Sequence, residues 1–457
     1  MLAMNSSTPI ASELVERNPW YLCLLADRFQ FIRIVGTFGL TLWMAWFVGA
    51  DDFGYIQAAL AMSAILATVT GLGIEQSVRA EMQKNPQQTT SILGTGMALR
   101  GAAGLIGFAA LFFLAPQNTT LKPIWLTLGL MAVTQTPLVM AWWLEQSPFR
   151  HWARLAAFGS FLFTALFLIV LLRHGAASVW FAAALVFEQP VFALIIFGMH
   201  LKLAPYEDTF VWDAKLARAW LRESRGRLGL ALVPFALIPL TQLLSLGLAS
   251  AEENGAFALA LTFYGLGLFV LVTILKGRRT ARSVERNGSY TSVEAPAGIE
   301  CYDAAKLGWV VALVSAAVSS GLILLFLNAE YHRALWAVLP LSFSLIPTAI
   351  GWVRDERMIR AQNRRQLVRW QLIGAGANLV LASVCIHFLG AVGAASALFA
   401  SSLFINLGAT HYTSEAPRLA RAQWRALILA TAWLKGRSHP TPVGGTITPF
   451  PLTNAQS

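Results

Sequence analysis

Charged side chains are scarce in this sequence of 457 residues: Asp, Glu, Lys and Arg make up only 12% of it. A soluble domain carries about 25% of such residues. Hydrophobic residues make up 56% of the chain, and apolar stretches recur along nearly its whole length. A chain with this composition cannot shield its apolar surface from water, so a soluble protein is excluded and lipid must be the solvent for most of it.

The sequence also lacks the motifs of several enzyme classes. It contains no GxxxxGK[ST] run, which excludes ATP hydrolysis by a P-loop mechanism. It has no HExxH pattern and no Cys/His cluster, so we expect no metal site and no cofactor. The three cysteines, Cys23, Cys301 and Cys385, offer no disulfide framework. Residues 1–28 have no basic start ahead of an apolar core and do not resemble a cleavable signal.

The apolar runs are long enough to cross a bilayer, which takes roughly 20 residues for about 30 Å of hydrocarbon. We therefore predict an all-α polytopic membrane protein of about twelve transmembrane helices. The predicted helices cover residues 29–49, 54–75, 92–114, 123–143, 154–172, 177–199, 227–249, 255–275, 307–327, 334–353, 370–389 and 391–411.

The formal net charge of +11 is distributed unevenly relative to these helices. With the N-terminus inside, the outer connections hold only Lys122, Arg173 and Arg333, which is typical of the positive-inside rule. We therefore expect a multi-pass protein of the bacterial inner membrane with both termini in the cytoplasm. The positive charge encodes topology and attraction to anionic membrane lipids, and nothing else indicates a nucleic-acid partner.

A basic segment in the middle of the chain divides six predicted helices from six. Between residues 213 and 226, Arg218, Arg222 and Arg225 share one helical face and apolar residues share another. This pattern predicts an amphipathic helix in the cytoplasmic interface, with an ordinary solvated loop as the alternative. The predicted organisation is an N-terminal cytoplasmic segment (1–28), an N-lobe (29–200), the amphipathic linker (201–226), a C-lobe (227–411) and a partly disordered cytoplasmic tail (412–457). In the tail, an apolar stretch at 422–434 is too short to span and is predicted to lie along the membrane surface.

The two halves repeat one turn. The chain reads VGADDFGYIQAAL at 48–60, after the first helix, and ASAEENGAFALAL at 249–261, after the seventh. In each turn two acids precede a glycine that opens the next helix, and acids complement the partial positive charge of a helix N-terminus. The acids and glycines are Asp51, Asp52 and Gly54 in one turn and Glu252, Glu253 and Gly255 in the other. The repetition predicts two pseudo-symmetric six-helix lobes around a central cavity.

Four segments give the chain a resemblance to a known family. They are the acidic turn with Phe53-Gly54, TGLGIEQSVRAEM (70–82), WWLEQSPFRHWARLA (142–156) and LGAVGAASALFAS (389–401). In order and spacing they resemble those of Wzx-type polysaccharide or O-antigen flippases, in the multidrug/oligosaccharidyl-lipid/polysaccharide exporter superfamily. The chain departs from the family late in helix seven, where it has the uncharged Gln242 instead of a charged residue.

The resemblance implies a function. It implies alternating-access translocation of an undecaprenyl-pyrophosphate-linked oligosaccharide from the inner to the outer leaflet, for export of O-antigen, capsule or exopolysaccharide. It also implies polymerase and chain-length proteins of the same pathway as partners. No catalytic residues are expected in a transporter of this kind.

Arginine is the residue type best suited to bind a diphosphate in a wet cavity, because its planar fork bonds phosphate oxygens bidentately. Arg33 and Arg100 lie inside predicted helices one and three and are the leading candidates for a cationic cavity. The alternative for both is snorkelling to the cytoplasmic interface. Arg28, Arg79 and Lys276 lie at the predicted inner mouth, either collecting an anionic head group or acting as topology anchors.

Glu188 is the acid that stands out, because it precedes Gln189 and Pro190 in the middle of predicted helix six. A buried carboxylate beside a proline kink can bind a coupling ion, or it can be a static partner for Arg100 or Arg33.

Two further functions fit the composition. A small-molecule or cation antiporter of the same superfamily would want an acidic cavity, which Glu188 favours and the arginines oppose. A membrane-embedded polysaccharide polymerase would need a sizeable outer loop, and the predicted outer connections are short.

Overall fold

The computed structural model of the chain describes residues 28–115, 121–147, 149–175, 177–203, 210–286, 297–360, 364–408 and 416–434. Every regular element in these ranges is helical, which confirms the predicted all-α class. The α-helices are α1 (Arg28–Thr70), α2 (Glu75–Lys84), α3 (Thr89–Leu114), α4 (Leu121–Gly129), α5 (Met131–Thr134), α6 (Leu138–Gln146), α7 (Arg150–Arg173), α8 (Ser178–Leu203), α9 (Ala214–Leu248), α10 (Ala251–Arg286), α11 (Ala297–Phe326), α12 (His332–Arg360), α13 (Arg364–Leu403) and α14 (Ala416–Leu434). Short 3-10 helices cover Pro86–Gln88 and Ala329–Tyr331, and a π-helix covers Phe404–Gly408.

The predicted number of twelve crossings stays a prediction. Eight of the described helices are long and apolar enough to span a membrane, and one bent pair adds a ninth span. Two of the eight, at Phe31–Thr70 and Gln366–Gly408, are 40 and 43 residues long and contain a bend, so each is long enough to cross twice. The helix α9 is 35 residues long, and within it Leu237–Leu248 is apolar but shorter than a full crossing. We refer to the helices from α1 to α8 as the N-lobe and to those from α9 onward as the C-lobe.

Both long helices bend at a glycine with positive φ. Gly49 in α1 has φ 80°, and Gly390 in α13 has φ 55°. A glycine adopts this left-handed backbone without a clash between Cβ and the chain, so the helix reverses within one residue. At the second bend the Ala391 amide donates to Glu253 Oε2 at 2.8 Å, which satisfies a donor that the helix ladder cannot.

The fourth span is broken, whereas the sequence predicts one helix over 123–143. It consists of α4, α5 and α6, with a bend of 40° between the second and third pieces. Pro137 lies at this break, where the missing N–H of proline and its ring prevent a continuous ladder. The break places the side chain of Gln135 within reach of the neighbouring helix α3.

The amphipathic linker is not a separate helix. Asp213 caps α9 by accepting from the Lys215 and Leu216 amides, and α9 then continues to Leu248 through the predicted boundary at residue 226. Its first turns pack against the N-lobe instead of lying alone in the interface. Ala217 and Trp220 are buried, and Ser77 Oγ of α2 donates to Glu223 Oε2 at 3.0 Å.

The predicted apolar stretch at 422–434 belongs to α14, which packs on α11. Gln423 Nε2 donates to the Asn406 carbonyl at 3.2 Å, and Lys306 Nζ lies 4.5 Å from the Trp433 ring centroid. The position of α14 relative to a membrane surface stays a prediction. The N-terminal segment up to residue 27, with Cys23, and the tail beyond residue 434 lie outside the described residues.

Candidate functional site

The two repeated turns meet face to face. Asn254 Nδ2 donates to the Gly54 carbonyl at 2.7 Å, across the boundary between the lobes. A Cβ added at Gly54 would lie far inside van der Waals contact with the Ala251 carbonyl, and one at Gly255 would do the same against the Ala50 carbonyl. The contact is therefore reciprocal, as a pseudo-twofold axis between the lobes requires.

Further contacts between the lobes surround this pair of turns. Tyr331 Oη donates to the Ala45 carbonyl at 2.9 Å, and the Ala50 amide donates to Glu330 Oε2 at 3.2 Å. Phe53 and Tyr331 are fully buried and contact each other edge to face, with ring centroids 6.2 Å apart. The lobes are thus closed at this end of the bundle, which we call the turn end.

A cavity of about 320 Å³ lies between α1 of the N-lobe and α10 of the C-lobe. Its lining combines one cation, three hydroxyls and apolar groups. The lining residues are Arg33, Ile34, Thr37, Phe38, Thr41, Thr262, Gly265 and Leu266. Arg33 lies 16 residues before the bend at Gly49, so about 24 Å of helix separates it from the turn end. The cavity is therefore on the side of the bundle where α1 begins.

Arg33 makes an ion pair at the cavity. Its Nη2 donates to Glu188 Oε1 of α8 at 2.7 Å. The side chains are 39% and 19% exposed, so neither is fully enclosed by protein. Glu188 lies two residues before Pro190, within the continuous helix α8. Of the two arginine partners that the sequence allowed for this carboxylate, the structure places Arg33 beside it.

Arg100 lies elsewhere, in the interior of the N-lobe. It is 6% exposed, its guanidinium carbon is 5.1 Å from the Trp142 ring centroid, and Nη2 lies 3.5 Å from Gln135 Oε1. The expected cavity lined by both Arg33 and Arg100 is thus not the arrangement seen, because Trp142 and the break in the fourth span enclose Arg100. An aromatic face and an amide oxygen stabilise a buried cation without a carboxylate contact.

We predict that Arg100→Ala lowers stability more than it lowers substrate binding. Loss of the guanidinium leaves the Trp142 face and the Gln135 oxygen without their partner, at a cost of about 2 kcal/mol. Thermal unfolding of the purified protein should show a lower Tm for Arg100→Ala than for Arg33→Ala. A normal Tm together with lost substrate binding would instead assign Arg100 to the binding site.

Of the three residues predicted at the inner mouth, neither Arg79 nor Lys276 lines the cavity. Arg79 pairs with Glu75 at 2.9 Å and with Glu145 at 2.7 Å. Lys276 is exposed near the end of α10. Arg28 begins α1, and its side chain lies outside the described residues. The contacts of Arg79 fit an anchor for the α2 region, which was the alternative for this residue.

Sequence reasoning missed the hydroxyl groups of the site. Thr37 and Thr41 follow Arg33 at intervals of four, so all three side chains share one face of α1. That spacing was the available signal. No sequence signal indicated Thr262 on α10, because its position opposite α1 depends on how the two lobes pack together.

A second polar cluster lies inside the C-lobe. Asn378 Nδ2 donates to Thr241 Oγ1 at 2.7 Å, and Ser401 Oγ donates to Asn378 Oδ1 at 3.0 Å. All three residues are buried, and hydrogen bonds between them satisfy groups that lipid could not. No group of three or more His, Cys, Asp or Glu side chains suited to a metal ion occurs within the described ranges.

Comparison of the structure with solved proteins identifies the fold. An inward-facing multidrug resistance MATE family transporter of the MOP superfamily matches with a TM-score of 0.68 and 14% identity, over 89% of this chain and 96% of that one. The chain shares the fold of this transporter. The lipid II flippase MurJ, in an inward closed conformation, matches that fold with a TM-score of 0.58 and 13% identity, over 91% and 93% of the two chains.

A MOP superfamily transporter from Pyrococcus furiosus, described as having a binding pocket of reverse polarity that suggests a different function, also shares the fold. Its TM-score is 0.54 at 14% identity, over 94% of this chain and 99% of that one. No protein-family model and no curated protein sequence matches the chain. At these identities the comparisons show the fold alone, and the substrate must be argued from the site.

Proposed function

We propose that the chain is an alternating-access transporter that translocates a diphosphate-linked lipid carrying an oligosaccharide. The observation that carries this proposal is the position of Arg33, a partly exposed guanidinium in a hydroxyl-lined cavity between the lobes. Its solved neighbours include both a multidrug transporter and a lipid II flippase, so the fold by itself supports either kind of substrate.

The chemistry of the cavity favours the lipid-linked diphosphate. A guanidinium binds two phosphate oxygens at once, and it stays charged when partly desolvated. Thr37, Thr41 and Thr262 place hydroxyls at the cavity. Those of Thr41 and Thr262 donate to the Thr37 and Ala258 carbonyls at 2.8 and 2.9 Å, so their oxygens are free to accept from sugar hydroxyls. The cavity lies between the lobes, where rocking of one lobe against the other changes access, and the turn end is closed in this structure.

The cellular setting follows from this proposal. The protein would lie in the bacterial inner membrane with both termini in the cytoplasm, as the distribution of basic residues predicts. The exported product would be O-antigen, capsule or exopolysaccharide, with polymerase and chain-length proteins as pathway partners.

Arg33→Ala should lower transport by about tenfold without lowering the amount of protein in the membrane. The reason is the loss of charge-assisted hydrogen bonds to the diphosphate, each of which contributes about 1.5–3 kcal/mol. Arg33→Lys should recover transport only in part, because an ammonium lacks the planar fork. The measurement is exported polysaccharide and retained lipid-linked intermediate in a depleted strain carrying each variant.

Arg218→Ala is the matched control, because Arg218 is an exposed arginine on α9 outside the cavity lining. It should export normally. Normal export by Arg33→Ala would contradict the cationic-cavity proposal.

The second candidate function is antiport of small organic cations, and Glu188 is the observation that favours it. Its carboxylate lies at the edge of the same cavity, 2.7 Å from Arg33. Under this alternative Arg33→Ala would expose an unneutralised acid and increase export of cationic drugs. Drug sensitivity of a deletion strain, complemented with the wild type or with Arg33→Ala, separates the two functions.

A polymerase is the third candidate. Its loss would leave single repeat units still exported, whereas loss of a flippase stops export and retains the lipid intermediate. The chain length of exported polymer therefore decides between them.

A further inference from the structure

We propose that Glu188 is a built-in anion that occupies the diphosphate site of Arg33 in the empty transporter and must be displaced when substrate binds. The inference rests on the proposed function and adds a residue that sets affinity and turnover. It rests on the direct contact between Arg33 Nη2 and Glu188 Oε1 at 2.7 Å, at a cavity whose other wall belongs to the C-lobe.

The geometry of the pair suits exchange. The contact joins one guanidinium nitrogen to one carboxylate oxygen, whereas a guanidinium has five N–H donors in a fork that two phosphate oxygens can match. A diphosphate therefore offers Arg33 more oxygens and more negative charge than Glu188 does. Both side chains are partly exposed, 39% for Arg33 and 19% for Glu188, so neither is locked in place by surrounding protein.

The pair also lies within one lobe. Arg33 on α1 and Glu188 on α8 are both in the N-lobe, while Thr262 and Gly265 of α10 form the opposite side of the cavity. When Glu188 holds Arg33, the cation is neutralised inside its own lobe. When a diphosphate replaces the carboxylate, its remaining oxygens extend toward α10 of the other lobe, where the Thr262 hydroxyl must turn away from the Ala258 carbonyl to donate to them. Exchange of the carboxylate for a diphosphate thus replaces a contact within the N-lobe with one that reaches both lobes.

Competition by Glu188 has two opposite consequences for transport. It weakens substrate binding, because the diphosphate must displace a bound anion. It speeds release, because the carboxylate is present to take the guanidinium back at the end of the cycle. If Glu188 only oriented Arg33, removing its charge would weaken binding of the diphosphate, which is the opposite of the result expected for a competing anion.

The test uses farnesyl diphosphate as the probe, titrated into the purified full-length protein by calorimetry. We expect Glu188→Gln to bind the probe about threefold to tenfold more tightly than the wild type, since the competing ion pair is partly exposed and modest in strength. We expect the same variant to export less polysaccharide in cells. In the double variant Arg33→Ala/Glu188→Gln the gain in affinity should vanish, because it depends on the guanidinium.

Glu300→Gln is the matched control, because Glu300 pairs with Arg357 at 2.7 Å and the two side chains are 28% and 23% exposed. This pair lies outside the cavity lining, so the control should bind the probe as the wild type does. Unchanged or weaker binding by Glu188→Gln overturns the inference. If Glu188→Gln is not recovered folded, Glu188→Asp decides, since the shorter side chain breaks the contact and should also tighten binding.

Failure of the proposed function gives a different result. Equal binding of the probe by the wild type and by Arg33→Ala would overturn the diphosphate site itself. Weaker binding by Arg33→Ala, with no gain in Glu188→Gln, would leave the proposed function standing and refute only the competition by Glu188.

Discussion

Gly54→Ala or Gly255→Ala is expected to reduce transport by up to about 150-fold. Each added methyl group would meet a backbone carbonyl of the other lobe, at Ala251 or Ala50, so the turn end cannot close as it does here without a backbone shift. Overpacking of this kind costs about 1–3 kcal/mol. A cost of that size changes a conformational equilibrium by about 5- to 150-fold, away from the state that is closed at the turn end.

Two measurements test this effect: the transport rate, and the rate at which a cysteine in the turn reacts with a maleimide. A cysteine at Ala50, in a background without the three native cysteines, is buried when the turns meet and should react with a maleimide when they separate. Gly54→Ala should raise its reaction rate. The controls are Gly39→Ala and Gly376→Ala, because a Cβ at either glycine has nothing within 4 Å. Equal rates and equal transport in Gly54→Ala and in the controls would show that the turn contact is not part of the cycle.

Arg354→Ala is expected to lower the free energy of unfolding by about 2–3 kcal/mol, because it leaves the Ile405 carbonyl and the partly buried Asp355 carboxylate without their donor. Arg354 is 2% exposed. Its Nε donates to Asp355 Oδ1 at 2.8 Å, and its Nη1 donates to the Ile405 carbonyl of the π-helix. A π-helix leaves carbonyls displaced from the regular ladder, and this guanidinium binds one of them to α12.

The control for this prediction lies one turn further along α12. Arg357 pairs with Glu300 at 2.7 Å but is 23% exposed, so Arg357→Ala should cost about 1 kcal/mol or less. Thermal unfolding in detergent should therefore show a much larger drop in Tm for Arg354→Ala. Similar drops for the two variants would mean that burial of Arg354 does not set the strength of its contacts.

Sequence reasoning located neither the role of Arg354 nor the environment of Arg100. Both are arginines near or within apolar segments, a pattern that equally fits snorkelling, an ion pair and a cavity. Their burial depends on neighbours that are distant in sequence, the π-helix at Phe404–Gly408 for Arg354 and the broken fourth span for Arg100. The local pattern of apolar and polar residues contains no information about either of these neighbours.

The turn motif shows where sequence reasoning succeeded. Two acids before a glycine, found after the first and the seventh spans, predicted related turns in two lobes, and the structure brings Gly54 and Gly255 together. What the motif did not predict was the contact itself. Whether equivalent turns meet or stay apart depends on the tilt of the lobes, which the packing of α1 against α9 and α10 decides.

The sequence by itself determined the membrane class, because burial in lipid imposes about 20 apolar residues per crossing on the chain. Only the tertiary structure decided which charge faces the cavity. Arg33 and Arg100 have similar local sequence environments, yet one lies beside Glu188 at the gap between lobes and the other beneath Trp142. The physical reason is that the neighbours of a buried arginine depend on how helices distant in sequence pack together. Hydrophobic periodicity does not specify that packing.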